Sequence, residues 1–188
     1  RAKHPKLEIE NCSGGGGRID IEAIRRADEV WPSDNTDAFD RLRIQEGFTY
    51  AYAPGIMSAW VTDVPNMNGR STPLATRFLV AMQGALGIGA NLNKWPAEDS
   101  ALATRMIALY KRIRTTVQTG GLYRIASPRL SGVTVNQYVS GDGKQSVVFA
   151  VRHSQQSNTA APTILLRGLD ERATYRIESV DGKLQERQ

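Results

Sequence analysis

Residues 10–37 read ENCSGGGGRIDIEAIRRADEVWPSDNTD, and the fold class turns on this stretch. Just before it, Leu7 and Ile9 alternate with acidic residues, the period of a short strand, and that strand runs into four consecutive glycines, Gly14 to Gly17. The run is short and bounded on both sides by periodic sequence, so it reads as a tight loop at a strand end and not as a flexible linker. Behind it Ile19, Ala23 and Ile24 recur at helical spacing. The segment EVW at 29–31 is then a second brief strand, stopped by Pro32. Asn35 or Thr36 stands as a capping residue ahead of Ala38, Phe39, Leu42 and Ile44, which start a second helix. Strand, loop, helix, strand, helix is the alternation of parallel strands with crossover helices, and it places loops at the carboxyl ends of the strands.

Working outward, residues 50–64 read as an irregular apolar segment. Residues 70–92 pass from a helix-like stretch to the strand-like ALGIGANL. Residues 95–121 then carry Leu102, Met106, Leu109, Tyr110, Ile113 and Val117 on one face, with acidic residues in the first turn and Gly120-Gly121 as the stop. Beyond Gly121 the apolar period falls from 3.6 to 2. LYRIAS, VTVNQYVS, QSVVFAVRH, TILLR and ATYRIES are short β-rich runs separated by turn residues. The expected architecture is α/β followed by all-β. Residues 1–118 hold about four βα units, half of a (β/α)8 TIM barrel, and residues 119–188 form an antiparallel β-sandwich.

Composition narrows the function classes. The chain has 188 residues and a formal charge of +5, from 24 Lys and Arg against 19 Asp and Glu. The basic residues are dispersed, with no stripe of interleaved aromatics, so nucleic acid is not an expected partner. Cys12 is the sole cysteine, which rules out an intrachain disulfide and any cysteine-based zinc motif. No apolar run approaches the roughly twenty residues of a membrane span. Those features lead us to expect a soluble, cytoplasmic chain without cofactor or metal, although Arg1 in place of an initiator methionine leaves a preceding segment open.

The glycine run lacks the Lys-Ser/Thr ending of a phosphate loop and closes with Arg18. What it offers a ligand is backbone N–H groups that can be approached closely, a wall that suits a polyol. WPSDNTD at 31–37 supplies the acid candidate. A carboxyl at a strand end, beside an indole and closed to bulk water, can hold a proton near neutrality, and Asp34 has that position. Asp37 reads as a helix-dipole partner that could pair with Arg41, and Asp28 and Asp40 as solvated carboxylates. His4 and His153 are the only histidines and build no triad order or metal spacing. The sequon Asn11-Cys12-Ser13 reads as chance, and Cys12 as a small core residue. Trp60 and Trp95 are divided between a sugar cleft and core packing.

The blocks HPKLEIENCSGGGGRID, WPSDNTDAFDRLRIQEGF, MSAWVTDVPN and GRSTPLATRFLVAMQGALGIGANLNKW, with the LYKRIR helix, resemble the later catalytic region of the α-galactosidases of glycoside hydrolase family 36. The resemblance covers essentially the whole chain. It implies a retaining hydrolase acting on terminal α-galactose in sugars such as melibiose and raffinose. It assigns the general acid/base role to Asp34 and galactose contacts to Cys12 and Gly14, with Ser13 and Trp31 beside them. The family's nucleophile is an Asp in a Lys-Trp-Asp type motif, which residues 1–188 do not contain. On this resemblance the chain is a C-terminal portion, inactive and aggregation-prone alone, that works with the preceding half of the enzyme in a homo-oligomer such as a tetramer. A raffinose-synthase-like transglycosylase, an α-N-acetylgalactosaminidase and a non-catalytic carbohydrate-binding fragment stay open as alternatives.

Overall fold

The computed structural model describes residues 2–155 and 162–180. Strand β1 (Glu10–Asn11) pairs in parallel with β2 (Glu29–Val30), in the register Glu10↔Glu29 and Asn11↔Val30. A parallel bridge from Val30 to Met57 carries the order on to β3 (Ser58–Thr62), which pairs in parallel with β4 (Ala85–Gly89). The parallel strands thus follow one another in chain order. The segments between them are helical: α1 (Ser13–Gly16) and α2 (Ile21–Ile24) after β1, α3 (Ala38–Thr49) after β2, α4 (Leu74–Ala81) after β3 and α5 (Ala97–Thr119) after β4. The cap of α3 is Asp37, not Asn35 or Thr36; its side chain accepts the Asp40 N–H at 2.9 Å.

Residues 50–64 are more regular than their sequence suggests, since they contain β3. One of its faces is Ala59 and Val61, both fully buried, while the opposite face is Ser58, Trp60 and Thr62. A face that mixes hydroxyls with an indole breaks the apolar alternation that would have marked a strand.

The architecture changes kind at Gly120. Beyond it β5 (Gly121–Ala126), β6 (Val133–Val139) and β7 (Ser146–Arg152) form one antiparallel sheet in that order. Helix α5 earns its place through its apolar face. Ala103, Met106, Tyr110, Ile113 and Val117 join Ala59, Val61, Phe78 and Met82 of the α/β part and Tyr138 and Phe149 of the sheet in a single buried cluster. The contact is polar as well: the Tyr138 hydroxyl donates to the Gln83 carbonyl at 3.2 Å, and the Asn136 amide to Gln83 Oε1 at 2.8 Å.

The second layer of the expected sandwich is missing among the described residues. TILLR (163–167) and ATYRIES (173–179) are not strands. At Arg167 a side chain stands where a ladder would: Gln137 of β6 accepts from the Arg167 N–H at 2.8 Å and donates to its carbonyl at 2.9 Å, while between the two segments the Asp170 N–H donates to the Tyr175 hydroxyl at 2.9 Å. Leu165 and Ile177 consequently stay exposed. Residues 181–188, the end of the expected β-sandwich, lie outside the described residues.

His153 follows β7 near the Phe39 ring, at 6.3 Å between centroids, and burial, with Arg43 adding to it, holds its imidazole below the usual histidine range. A histidine so held favours the native state above its unfolded value of about 6.5, and the unfolded chain takes up the proton first as the pH falls. The denaturation midpoint of the wild-type chain should therefore fall more steeply between pH 7.5 and 5.5 than that of His153→Gln. Equal slopes would exclude this coupling.

Candidate active site

The glycine run forms α1, a single turn of left-handed helix. Ser13, Gly14, Gly15 and Gly16 have φ of 45°, 66°, 73° and 91°, and the Gly16 and Gly17 N–H groups donate back to the Cys12 and Ser13 carbonyls at 3.1 Å. A run of this hand is open to glycine and costs other residues on the order of 1 kcal/mol each, so Ser13 is the one strained member. The turn is pressed against the loop that follows β2. A Cβ on Gly15 would stand 2.7 Å from Asp34 Cγ and Oδ2, and one on Gly16 would strike the Pro32 carbonyl. Around Gly14 there is open space. The two halves of the 10–37 stretch therefore meet, with the Asp34 carboxyl lying on the glycine backbone.

The other Asp34 oxygen, Oδ1, accepts the Trp31 indole N–H at 2.8 Å. Trp31 is buried and leans on Trp60 with ring centroids 4.7 Å apart. Trp60 lies across β4 where Gly87 and Gly89 leave room: a Cβ at either position would come within 2.7 Å of its ring. Trp60 thus stands beside Trp31 and the Asp34 loop, whereas Trp95 packs against the main core cluster. Asp34 itself is exposed, so the closure to bulk water expected of its site is not provided by the described residues. Cys12 is exposed too and is not the core residue that a lone cysteine suggested.

Beneath the loop, Asp37 is fully buried and pairs with Arg70, not with Arg41. Arg70 reaches Asp40 as well, at 3.3 Å. The Asn35 amide first of all, and then Arg70 and Asn68, hold the Asp40 carboxyl below the usual carboxylate range against the opposing effect of burial, so Asp40 is more engaged than a solvated face implies. Arg41 is buried and turns the other way, donating to the carbonyls of Ser58 at 2.6 Å and Ser33 at 3.3 Å and to Gln45 Oε1 at 3.3 Å, with its guanidinium 5.3 Å from the Trp31 ring centroid. The signal for this was present: Ala38, Arg41, Leu42 and Gln45 share one helical face, and all four are buried. Among the described residues no group of three or more His, Cys, Asp and Glu side chains could hold a metal ion, and no helix is long and apolar enough to cross a membrane.

The Melibiase family model matches residues 1–120, and the glycosyl hydrolase family 36 C-terminal domain matches residues 133–186. This chain belongs to glycoside hydrolase family 36. It is 36% identical over 179 residues to the probable alpha-galactosidase G of Aspergillus terreus, covering 94% of this chain and 25% of that protein. Alpha-galactosidase AgaA of Geobacillus stearothermophilus is likewise 36% identical over 180 residues. The AgaA crystal structure superposes with a TM-score of 0.87 over 90% of this chain and 24% of its own, as does that of an AgaA variant in complex with raffinose, at 35% identity. The chain thus spans about a quarter of the length of the family 36 relatives it matches.

Gly15 and Gly143 give a paired test of the contact with the carboxyl. Both have left-handed φ, so alanine carries a similar backbone cost of about 1 kcal/mol at each, yet at Gly15 the new methyl meets Asp34 whereas at Gly143, in the turn between β6 and β7, it meets open space. If Asp34 carries the chemistry, Gly15→Ala should lower kcat at least about tenfold more than Gly143→Ala in an active assembly, since small misplacements of reacting groups are that costly. Equal losses would mean that the displaced carboxyl is not involved.

Proposed function

We propose that the chain supplies the proton-transfer half of a retaining α-galactosidase, with residues 1–118 as the second half of a (β/α)8 barrel and residues 119–188 as a C-terminal β-domain. One observation carries the reading. Asp34 Oδ1 is engaged by the Trp31 indole while Oδ2 faces Gly15 beside the open space at Gly14, so one oxygen is held and the other is presented to a ligand. The chemistry then follows from microscopic reversibility. The protonated Asp34 carboxyl gives its proton to the glycosidic oxygen as the C1–O bond breaks, while a carboxylate from another segment bonds to C1. The Asp34 carboxylate next removes a proton from water, whose oxygen displaces the other segment's carboxylate from C1. Galactose leaves with retained configuration, and Asp34 is protonated again.

The second carboxylate must stand about 5–5.5 Å from Asp34 for this double displacement. No Lys-Trp-Asp sequence occurs in residues 1–188, so in this reading the nucleophile comes from a segment corresponding to the other three quarters of the relatives. Cys12, Ser13 and Gly14 form the galactose wall, and Trp31 stands at its edge. Raffinose and related α-galactosides are the substrates in this reading, by likeness to the AgaA variant bound to raffinose. The test is a graft in which residues 1–188 replace the matching quarter of AgaA: it should release galactose from raffinose with retention, and Asp34→Ala should abolish that release. Inversion, or activity indifferent to Asp34, would overturn the reading.

A further inference from the structure

Arg41 is a buried cation with no carboxylate among its hydrogen-bond partners in the described residues. Burying a guanidinium without a counter-charge is costly, and the cost shows in its pKa, pushed down by desolvation to about 10. Asp37, four residues away on α3 and the natural partner, is taken by Arg70. What Arg41 touches instead is the support of Asp34. One arm of the fork holds the Ser33 carbonyl, immediately before Asp34; the other holds the Ser58 carbonyl at the start of β3; and the guanidinium lies over the Trp31 ring, which also meets Trp60. The Trp31 N–H then holds Asp34 Oδ1.

We propose that Arg41 is a positioning residue for the proton transfer carried by Asp34, acting through the Ser33 carbonyl and the Trp31 ring. The proposal rests on the acid/base reading of Asp34. A guanidinium suits the task because its planar fork reaches two carbonyls in fixed directions while its charge lies against an indole, so that Arg41 and Trp60 together hold the ring and keep its single N–H aimed at the carboxylate. The fixed charge has a second effect. A cation over the indole face makes the ring N–H a better donor, and that strengthens the hold on Oδ1 while leaving Oδ2 as the oxygen that gives and takes the proton.

A positioning role and a merely structural one differ in how the loss depends on the leaving group. In the AgaA graft, Arg41→Gln should lower kcat/KM for raffinose about ten- to hundredfold, the scale of a misplaced catalytic group. For 2,4-dinitrophenyl α-galactoside, whose phenolate departs without a proton, the loss should stay within about threefold, because kcat/KM reports only steps up to glycosyl transfer onto the enzyme. Equal losses on both substrates, or none on either, would overturn the role of Arg41. Asp34→Ala in the same graft separates the two claims: if it spares raffinose, the acid/base reading itself has failed.

A second measurement needs no activity. In the 188-residue chain, Asp34→Asn should move the Trp31 indole N–H resonance, and in the Arg41→Gln background the same change should leave it within line width. A Trp31 resonance that responds to Asp34→Asn equally in both backgrounds would show that Arg41 does not hold the pair together.

Discussion

Asp34→Ala should lower kcat/KM for raffinose in the graft at least about a hundredfold, the lower end of what a positioned general acid contributes. The sucrose alkoxide that raffinose must shed is a strong base, so the C1–O bond does not break at a useful rate until its oxygen is protonated. Among the described residues the carboxyl set against the glycine turn is that of Asp34, fixed on Trp31 through one oxygen. Two further results separate lost proton transfer from lost binding. An activated aryl galactoside should form its glycosyl-enzyme almost normally and then stall, since hydrolysis of that intermediate needs a base. Azide, which attacks C1 without a base, should restore turnover and yield galactosyl azide. If the variant instead raises KM for every substrate with kcat unchanged, Asp34 is a binding residue and the double displacement uses another acid.

The parts of this site legible in the sequence were those whose signal is local. Four glycines after an alternating strand announce a tight turn, and WPSDNTD announces a loop that enters a helix, because both are written within a few residues. Two things were not legible. The hand of the turn was one, since a glycine run is compatible with many loops and only contact with Pro32 and Asp34 selects this one. The partners of the buried charges were the other: Asp37 goes to Arg70 at a separation of 33 residues, and Arg41 to Ser58 at 17, distances over which spacing rules carry no information. The same limit produced the error at the C-terminal end. TILLR and ATYRIES have the period of strands, but period shows only what a segment could pair with. The Gln137 side chain bonds both backbone groups of Arg167, and Tyr175 turns its hydroxyl to Asp170 between the two segments. Helix α5 was clear from start to stop because one apolar face carried along a helix of twenty-three residues outweighs any local ambiguity.

Phe78→Ala should destabilise the chain by about 3–5 kcal/mol, the cost of deleting a phenyl ring from a filled core. The informative part is where that loss is felt. The period change near residue 119 suggests two parts, yet fully buried Phe78 of α4 shares one cluster with Val61 of β3, Val117 of α5 and Tyr138 and Phe149 of the antiparallel sheet. A cavity there removes dispersion contacts from both sides of the boundary at once, so both should lose stability together. The three tryptophans, at 31, 60 and 95, all precede Gly120, so indole fluorescence in urea follows the α/β part alone. Amide hydrogen exchange in β6 follows the sheet. In the 188-residue chain the fluorescence midpoint and the β6 protection should fall in step in the variant. A β6 that keeps its protection while the fluorescence midpoint drops would show two separately folding units, with the cluster at Phe78 only a contact between them. If the coupling holds, the sheet acts as a fixed backing for α4 and α5, whose packing against Ala59 and Val61 sets the position of β3 and so of Trp60, the ring against which Trp31 and its bound carboxylate rest.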